Sequence, residues 1–483
     1  MLLTQLSHDI GRMVGPDAEV LDVEHDSRDC RPGDLYCAVV GRVHDGHTFI
    51  PEALRRGAVA VCVSDPGAVP PGVPCLVVDD TRRALGPLSA RIHGDPTRRL
   101  RVFGVTGTNG KTTTTYLLRH ILRHAGRSVD LVGTVERTIG GVPSHSKRTT
   151  PEATDLQRWF EQMLQAGTQD VAMEVSSHAL DLGRVIGVRF AGAVFTNLTQ
   201  DHLDYHGTLE RYLDAKLMLF DALEPEAFGI VNADDPAAEH FVRRTRANVL
   251  RFSVRDAADI YAKDIELGPR GTRFLLCVHG EEVPVSLPIA GIFNVQNAVA
   301  ATAVAYAAGV GTEEIGEALT SAQPPPGRFQ RIDRGQPFEV VVDYAHTPDG
   351  IEKLLHAARD ISRGRVLIVF GCGGDRDRGK RPLMGALAAQ LADKVFLTSD
   401  NPRSESPERI IDAIVEGIQG TGRKNYTRIV DRTEAIRAAV AEARAGDILV
   451  IAGKGHEDYQ LVGGQVFHFD DREEARKALE EIR

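Results

Sequence analysis

Short apolar runs, separated by glycine and proline, alternate along the chain with stretches in which apolar residues recur at helical spacing. Near the start of the chain the runs have the length and composition of β-strands, and they occupy residues 35–40, 59–63 and 76–78. Strands bounded by such turn residues are typical of a small α/β domain. The pattern therefore predicts a first domain over residues 1–97.

A second region of alternating strands and helices begins near residue 100. Its strand-like runs lie at residues 102–105, 171–175 and 193–196, with helical patterns between them. Strands that alternate with helices favour a parallel sheet covered by helices. We therefore expect a doubly wound domain whose functional loops lie at the carboxyl ends of the strands.

A proline-rich linker separates this region from a third one. The segment 322–327 reads Ala-Gln-Pro-Pro-Pro-Gly and cannot continue a helix, because proline lacks the backbone donor and pushes the preceding residue towards extended geometry. Beyond it, apolar runs that are each followed by a loop and a helical pattern occupy residues 339–343, 366–370, 394–398 and 448–451. The sequence thus predicts an α/β protein with three domains, over residues 1–97, 98–327 and 328–483.

Composition and charge narrow the functional classes. The 57 basic and 67 acidic residues give a net charge of −10 without a long run of either sign, so we expect no nucleic-acid partner. The six cysteines are scattered without Cys-x-x-Cys spacing, which argues against a disulfide scaffold or a structural zinc site. The N-terminus has no basic segment, and the most apolar long stretch, residues 298–310, is too short to span a bilayer. We therefore expect a cytoplasmic protein that is not inserted into a membrane.

A glycine-punctuated turn between a β-type run and a helical pattern carries the first chemical signal. It reads Gly107-Thr108-Asn109-Gly110-Lys111-Thr112-Thr113. Backbone N–H groups of small residues at the start of a helix bind phosphate oxygens, while Lys111 supplies a full charge and Thr112 can reach Mg²⁺. The common kinase pattern has glycine where this chain has Val105, so the loop is a variant with a tighter turn. The turn predicts a site for ATP or GTP.

A lysine stands in the middle of an apolar helical stripe. Lys216 falls among the stripe residues, which are Leu209, Tyr212, Leu213, Phe220 and Leu223. Taken alone, such a lysine is expected to pack its methylene groups while its ammonium reaches water. The alternative is a lysine held beside a metal or a phosphate, where its amine could also react.

Two acid-bearing segments of the same domain favour the second alternative for Lys216. Glu174 lies at the carboxyl end of a strand-like run, where a carboxylate can hold Mg²⁺ opposite Thr112. The segment 197–207 places two histidines, one of them His202, and two acids within a few residues. Alone, either segment could be a capped turn. Together with the phosphate-binding turn, they predict a metal-lined site.

These motifs resemble the central domain of the Mur ligases, the ATP-dependent amide-forming enzymes of peptidoglycan synthesis. The resemblance extends over essentially the whole chain. Further segments match in the family's order and spacing, namely Gly291-Ile292-Phe293-Asn294-Val295-Gln296-Asn297, Gly327-Arg328-Phe329, Asp343-Tyr344-Ala345-His346-Thr347-Pro348-Asp349 and Gly453-Lys454-Gly455-His456-Glu457. The resemblance implies a UDP-binding N-terminal domain, a central P-loop ATPase domain with a mostly parallel sheet, and a Rossmann-like C-terminal domain that binds an amino acid.

The resemblance also implies roles for individual residues. The catalytic residues would be Lys111, Glu174, His202, Lys216 and Arg328. ATP would contact the turn 107–113 and Asn294, Asn297, Asp343 and His346. Mg²⁺ would be held by Thr112, Glu174, His202 and Lys216, the last as a carbamylated lysine. The UDP-muramoyl dipeptide would contact Ser27, Arg42, Val43, His44, Thr149, Thr150, Ser176 and Arg184.

Within the family, Asp400-Asn401-Pro402-Arg403 resembles the signature of the enzymes that add meso-diaminopimelate. This amino acid carries a second carboxylate and a second ammonium at the far end of its side chain, so a pocket for it needs a guanidinium and an acidic acceptor. The resemblance assigns that pocket to Arg376, Asp400, Asn401, Pro402, Arg403, Gly453 and Glu457. One departure is Ser406, where the family commonly has an acid.

The implied activity is ATP-dependent amide formation, through an acyl phosphate, between meso-diaminopimelate and the D-glutamyl γ-carboxylate of UDP-N-acetylmuramoyl-L-alanyl-D-glutamate. We expect a monomer whose partners are these small molecules. The alternatives are the same ligase with L-lysine or L-ornithine, or folylpolyglutamate synthase. A kinase or a nucleotide switch would use the phosphate-binding turn without forming an amide. A dehydrogenase is disfavoured, because the glycine-rich turn 371–375 has the wrong spacing.

Overall fold

The computed structural model describes residues 1–41, 43–146 and 148–482, which fold into three α/β units. The elements of the first unit are α1 (Leu3–Leu6), β1 (Arg12–Val14), β2 (Asp22–Glu24), β3 (Asp34–Cys37), α2 (Ile50–Arg55), β4 (Ala60–Val63), β5 (Cys75–Val77) and α3 (Thr81–Ile92). Its sheet has the order β1-β5-β4-β3-β2, in which β1 pairs antiparallel and the other pairs are parallel. The three predicted strands are confirmed as β3, β4 and β5.

The second unit begins with a strand that leads into the phosphate-binding turn. Its strands are β6 (Arg101–Thr106), β7 (Val129–Val132), β8 (Glu136–Ile139), β9 (Val142–His145), β10 (Asp170–Glu174), β11 (Phe190–Phe195), β12 (Phe228–Asn232), β13 (Asn248–Ser253), β14 (Ile260–Gly268), β15 (Gly271–Val278) and β16 (Glu281–Leu287). Its helices are α4 (Lys111–His124), α5 (Ala153–Gln165), α6 (Ser177–Asp181), α7 (Leu203–His206), α8 (Leu209–Asp221), α9 (Ala238–Arg244), α10 (Ile292–Ala307) and α11 (Thr312–Thr320).

These strands form one sheet that is mostly parallel, as expected. Its order is β16-β15-β14-β13-β12-β11-β6-β10-β7-β8-β9, and the segment from β14 to β7 runs parallel. The predicted strands are confirmed as β6, β10 and β11. Antiparallel strands extend the sheet at both edges, through β15 and β16 on one side and through β8 and β9 on the other.

The third unit follows the proline-rich segment, which lies outside helices and strands as predicted. Its strands are β17 (Gln330–Arg331), β18 (Glu339–Asp343), β19 (Val366–Phe370), β20 (Lys394–Leu397), β21 (Tyr426–Arg428), β22 (Ile448–Ala452), β23 (Tyr459–Val462) and β24 (Gln465–His468). Its helices are α12 (Pro348–Ile361), α13 (Lys380–Leu391), α14 (Pro407–Gly420), α15 (Arg432–Glu442) and α16 (Asp471–Glu481). The sheet order β17-β18-β22-β19-β20-β21 is parallel apart from β17, while β23 and β24 form a separate hairpin.

The central strands of the two larger units are buried along their whole length, as β10, β19 and β22 illustrate. Helices cover both faces of a parallel sheet, so such strands carry continuous apolar runs. The carboxyl ends of β6, β10 and β11 open onto the same cleft as the carboxyl end of β18. The fold thus brings the carboxyl ends of strands from two sheets together at one cleft.

Among the described helices, none is both long enough and apolar enough for a bilayer span.

Candidate active site

The phosphate-binding turn lies between β6 and α4 and lines a cleft of about 310 Å³. Gly107 has φ +149°, and a Cβ there would lie 1.9 Å from Thr196 Oγ1, so only glycine fits. The loop is braced from the end of β11: Asn197 O accepts from the Thr108 N–H at 2.8 Å, and Thr196 Oγ1 donates to Asn109 O at 2.6 Å. The turn is therefore held in shape by protein contacts.

The Lys111 side chain folds over this turn. Its ammonium donates to Gly107 O at 2.9 Å and to Thr108 O at 2.8 Å. Burial lowers the pKa of Lys111. The lysine begins α4, so its charge adds to the partial positive charge of the helix N-terminus. This arrangement can bind a phosphate, whose oxygens would compete with the two carbonyl groups for the ammonium.

A fully buried carboxylate faces the first turn of α4. Glu174 Oε2 accepts from the hydroxyl groups of Thr112 and Thr134, each at 3.0 Å, and Oε1 accepts from the Thr134 N–H at 2.8 Å. Carboxylate and hydroxyl oxygens are the donors that Mg²⁺ prefers, and Mg²⁺ is often held by one or two carboxylates together with substrate phosphates. Thr112 and Glu174 therefore fit a magnesium ion, and Thr134 is a contact that sequence reasoning missed.

The ammonium of Lys216 is buried within the site and does not reach water. The side chain is 1% exposed, and its Nζ donates to Gly107 O at 2.8 Å. The same nitrogen lies 4.2 Å from the centroid of the Tyr212 ring. Burial, with the charge of Lys111 as a smaller cause, holds the pKa of Lys216 well below its usual range. The snorkelling alternative is wrong, because the ammonium is buried against the phosphate-binding turn at Gly107.

His202 lies at the N-terminal end of α7 in a left-handed conformation, with φ +54°. Its Nε2 is 3.5 Å from Asp201 Oδ2, and its ring packs edge-on against His178 with 4.7 Å between centroids. Burial lowers the pKa of His202, which favours the neutral imidazole that metals bind. In the part of the chain that the structure describes, no group of three or more His, Cys, Asp or Glu side chains is arranged to hold a metal by itself.

The third unit reaches directly into the nucleotide cleft. Arg328 Nη2 donates to Thr112 Oγ1 at 3.3 Å, and its guanidinium stacks 4.3 Å from the centroid of the Tyr344 ring. Asp349 Oδ2 accepts from Asn109 Nδ2 at 2.6 Å. Arg328 is thus in a position to meet phosphate charge, as the resemblance implied. Asp349 is a contact between the units that sequence reasoning did not assign.

Of the residues expected to contact the nucleotide, some line the cleft and others bond to nearby backbone groups. Both asparagines are buried; Asn297 lines the cleft, whereas Asn294 donates to Ala290 O at 2.8 Å. The Asp343 carboxylate accepts from the N–H groups of Phe329 at 2.6 Å and Ala345 at 2.8 Å, so it braces two loops. Burial raises the pKa of Asp343 and lowers that of His346, which also lines the cleft.

Four residues expected to contact the dipeptide gather beside Glu174. Thr149 Oγ1 lies 3.0 Å from Thr134 Oγ1, and Thr150 Oγ1 donates to Glu174 O at 2.9 Å and Ser176 Oγ at 3.4 Å. Arg184 Nη1 donates to Thr150 O at 3.1 Å.

The residues expected to contact UDP lie in the first unit. Ser27 is buried and donates to Glu52 Oε2 at 2.9 Å. Val43 is 84% exposed, and the neighbouring His44 ring packs edge-on against Phe49. Arg42 lies outside the described residues. Contact of these residues with UDP stays a prediction.

The expected amino-acid pocket lies at the carboxyl ends of β20 and β22. Asn401 Nδ2 donates to Glu457 Oε2 at 2.9 Å, and Arg403 Nη1 donates to Gly374 O at 2.7 Å. Arg403 adopts a left-handed conformation, with φ +54°. Gly453 lies against the Asp400 carboxylate, and Pro402 packs against the backbone of Gly374. Arg376 is exposed.

Ser406, the departure noted in the sequence, caps α14. Its hydroxyl accepts from the Arg409 N–H at 3.4 Å and donates to Glu408 Oε2 at 2.8 Å. The loop before it is held by Glu405, which pairs with the buried Arg381 at 2.8 Å and accepts from the Asp375 N–H at 2.7 Å. A capping serine therefore satisfies this position, and neither Glu405 nor Arg381 was found by sequence reasoning.

The pocket adjoins the nucleotide cleft through Tyr344. The Tyr344 ring contacts both the Arg328 guanidinium and the His456 ring, and the centroids of the two rings are 5.0 Å apart. His456 directly precedes Glu457, and the charge of Glu457 reaches Tyr344. The nucleotide cleft and the expected amino-acid pocket are therefore neighbours, with Tyr344 in contact with residues of both.

Comparison with known proteins supports the family resemblance over nearly the whole chain. Three family models match: "Mur ligase family, catalytic domain" over residues 19–93, "Mur ligase middle domain" over 105–305, and "Mur ligase, glutamate ligase domain" over 327–455. Two curated relatives bear the name UDP-N-acetylmuramoyl-L-alanyl-D-glutamate–2,6-diaminopimelate ligase. One, from Geobacillus thermodenitrificans, is 46% identical over 97% of this chain and 96% of its own length. The other, from Geobacillus kaustophilus, is 45% identical over 99% of both.

A solved structure of the same name is 36% identical and covers 96% of this chain and 95% of its own, with a TM-score of 0.71. The expected three-domain α/β fold and the family resemblance are therefore confirmed. Since the family models match most of the chain and relatives above 30% identity span nearly all of it, this chain belongs to the Mur ligase family.

Proposed function

We propose that this chain is the ATP-dependent ligase that joins meso-diaminopimelate to the D-glutamyl γ-carboxylate of UDP-N-acetylmuramoyl-L-alanyl-D-glutamate. The observation that carries the proposal is the pocket of Asn401, Arg403 and Glu457 beside the nucleotide cleft. A guanidinium suits the distal carboxylate of the diamino acid, and a carboxylate suits its distal ammonium. Near-full-length relatives named for this activity support the assignment.

The reaction needs ATP because a carboxylate has no leaving group that an amine can displace. The γ-carboxylate oxygen attacks the γ-phosphorus of ATP, the bond to the β-phosphate oxygen breaks, and ADP leaves with an acyl phosphate formed. Lys111 and Arg328 face the cleft from two domains and neutralise the charge that develops on the phosphoryl oxygens. Mg²⁺ held by Thr112 and Glu174 would supply further positive charge at the phosphates.

The amide then forms from the activated acid. The neutral amine of the diamino acid attacks the acyl carbon, the tetrahedral intermediate expels inorganic phosphate, and the nitrogen loses a proton. Holding the distal end of the amino acid at Arg403 and Glu457 fixes the reacting amine relative to the acyl phosphate, and such positioning is a large part of catalysis. Tyr344 contacts residues of both the pocket and the cleft, which is consistent with the two reacting groups meeting there.

We also propose that the three domains have the binding roles that the resemblance implied. Residues 1–97 would bind the UDP moiety, 98–327 the nucleotide and the muramoyl peptide, and 328–483 the amino acid. The chain would act as a cytoplasmic monomer. Size-exclusion chromatography with light scattering tests the oligomeric state, and a dimer mass would contradict it.

Carbamylation of Lys216 is a finer proposal about the same site. Burial disfavours the charged form of Lys216 and holds its pKa well below its usual range, and the neutral form of such an amine can attack the carbon of CO₂ to form a carbamate with release of one proton. The resulting anion would stand where a metal ligand is needed. ¹³C NMR of the protein in [¹³C]bicarbonate should show a carbamate signal that Lys216→Gln removes. An active wild-type protein without that signal would contradict carbamylation.

Acceptor choice tests the main proposal. Phosphate release is measured with ATP, the UDP-muramoyl dipeptide, and meso-diaminopimelate, L-lysine or L-ornithine in turn. We expect release to require both the dipeptide and the diamino acid, which a kinase or a nucleotide switch would not. A preference for lysine or ornithine would overturn the assignment, as would activity with a folate acceptor and L-glutamate.

A matched pair of variants localises the recognition to the pocket. Arg403→Met should reduce kcat/KM for meso-diaminopimelate roughly tenfold or more, because a hydrogen bond between charged groups is worth about 1.5–3 kcal/mol. Arg409→Met removes an exposed arginine from the adjacent helix α14 and should leave kcat/KM unchanged.

A further inference from the structure

A buried lysine in the third unit has no part in the proposed reaction. Lys454 follows β22, and its side chain is 0% exposed. Its Nζ donates to Asn401 Oδ1 at 3.2 Å and to Glu457 Oε2 at 3.5 Å, and lies 5.5 Å from the centroid of the Tyr459 ring. A buried ammonium is costly unless it is paired and hydrogen-bonded, so its position needs a reason.

Lys454 and Asn401 act on the same carboxylate oxygen. Asn401 Oδ1 accepts from Lys454 and from the Leu461 N–H at 2.9 Å, which turns the amide so that Nδ2 donates to Glu457 Oε2 at 2.9 Å. Glu457 Oε2 thus receives two donors. In the described chain no hydrogen bond reaches Oε1 of Glu457, which leaves that oxygen available to a ligand.

The surroundings of Glu457 destabilise its ionised form. Burial is the largest cause of its raised pKa, and the neighbouring Asp400 adds to it, while Lys454 and the Asn401 amide oppose it. The titratable and charged groups that face Glu457 are Lys454 on its own loop, Asp400 after β20, Tyr344 after β18, Arg432 on α15 and Tyr459 on β23. Lys454 is the cation that bonds directly to the Glu457 carboxylate.

We propose that Lys454 is a positioning residue for the amino-acid acceptor: it keeps the Glu457 carboxylate ionised and orients it, so that Oε1 accepts the distal ammonium of the diamino acid. This inference rests on the proposed function. Lys454 itself does not touch the substrate. An ammonium is bound well by a carboxylate and poorly by a neutral carboxylic acid, so loss of the Lys454 charge acts through the protonation of Glu457.

The test is the pH dependence of kcat/KM for meso-diaminopimelate, measured on the full chain with saturating ATP and UDP-muramoyl dipeptide. Lys454→Met removes the charge at similar length, whereas Lys454→Gln keeps a donor towards Asn401. An opposite charge at this distance lowers a carboxyl pKa by about one unit or more. Both variants should therefore move the acidic limb of the profile to higher pH by about one unit, and cost roughly tenfold in kcat/KM on that limb.

A structural role alone would give a different pattern. We expect KM for ATP and for the dipeptide to stay within about twofold of the wild type, and the activity lost in both variants to be partly regained at higher pH. In a Glu457→Gln background, Lys454→Gln should move the limb no further, because the group that it controls is absent. An unshifted limb, a shift that persists in the Glu457→Gln background, or a parallel rise of all three KM values overturns the proposal.

Different results would overturn the proposed function and the role of Lys454. A wild-type protein that makes no product from meso-diaminopimelate would overturn the proposed function and this inference with it. Wild-type activity with an unshifted acidic limb in Lys454→Gln would refute the role of Lys454 alone. If Lys454→Met does not fold, the Lys454→Gln profile decides, since glutamine removes the charge and keeps an N–H donor.

Discussion

Arg432→Met should destabilise the third domain more than any exposed substitution in it. Arg432 and Asp471 form a fully buried ion pair, with Nε to Oδ1 and Nη2 to Oδ2 both at 2.7 Å. The guanidinium also donates to Ala452 O at 2.9 Å and to Ser399 O at 3.4 Å. It therefore joins the ends of β20 and β22, which carry the proposed amino-acid pocket, to the start of α16.

The magnitude follows from what the substitution leaves behind. Methionine replaces the apolar volume of Arg432 but strands the Asp471 carboxylate without a counter-charge, and breaking a buried pair in this way costs about 3–5 kcal/mol. That is a large part of the roughly 5–15 kcal/mol that stabilises a typical folded domain. The double variant Arg432→Met/Asp471→Leu removes both charges, and we expect it to be more stable than Arg432→Met.

Urea titration followed by hydrogen exchange on separate peptides resolves the effect by domain. The single tryptophan, Trp159, lies in α5 of the central domain, so its fluorescence would not report on the third domain. Peptides from β20 and β22 should lose protection in Arg432→Met, while peptides from β6 serve as the internal control. A loss below about 1 kcal/mol, or a double variant less stable than the single one, would refute this account of the pair.

Three further predictions concern the active site. Lys111→Ala should lower kcat for phosphate release roughly a hundredfold or more, because it removes a preorganised charge at the phosphates, and retained activity would contradict that role. Glu174→Gln should raise the Mg²⁺ concentration for half-maximal activity roughly tenfold or more, measured by Mg²⁺ titration at fixed ATP, and an unchanged requirement would count against this ligand. Gly374→Ala would place a Cβ 1.9 Å from Pro402 O, so it should raise KM for meso-diaminopimelate while KM for ATP, measured alongside, stays unchanged.

The parts of the fold visible in the sequence are those whose residues interact with near neighbours or are buried on both faces. The interiors of β6 and β10 and the whole of β19 are continuous apolar runs, because helices cover both sides of each sheet. The antiparallel hairpin β8–β9 is largely exposed and reads as polar sequence. Its existence depends on pairing with the sheet edge at β7, which composition does not encode.

The same limit applies to the site. Lys111 and Glu174 could be located because a turn and a strand end fix them locally. Asp349 could not, since its contact with Asn109 joins residues 240 positions apart and exists only when two domains pack together. Likewise, the burial of Lys216 was open between two interpretations, because helical spacing shows that a side chain faces inward but not whether water reaches its tip.

At the interface between the second and third domains, the polyanion ATP has to bind close to an acidic residue, Asp349. The Asp349 carboxylate bonds to Asn109 in the phosphate-binding turn, and a like charge about 4 Å away would cost about 4 kcal/mol at an effective dielectric constant of 20. Lys353, one turn later on α12, lies 3.0 Å from Asp349 Oδ2 and largely cancels that charge. Asp349 can therefore hold the two domains together through hydrogen bonds while Lys353 offsets its charge. We therefore expect the third domain to remain docked on the phosphate-binding turn when ATP is bound.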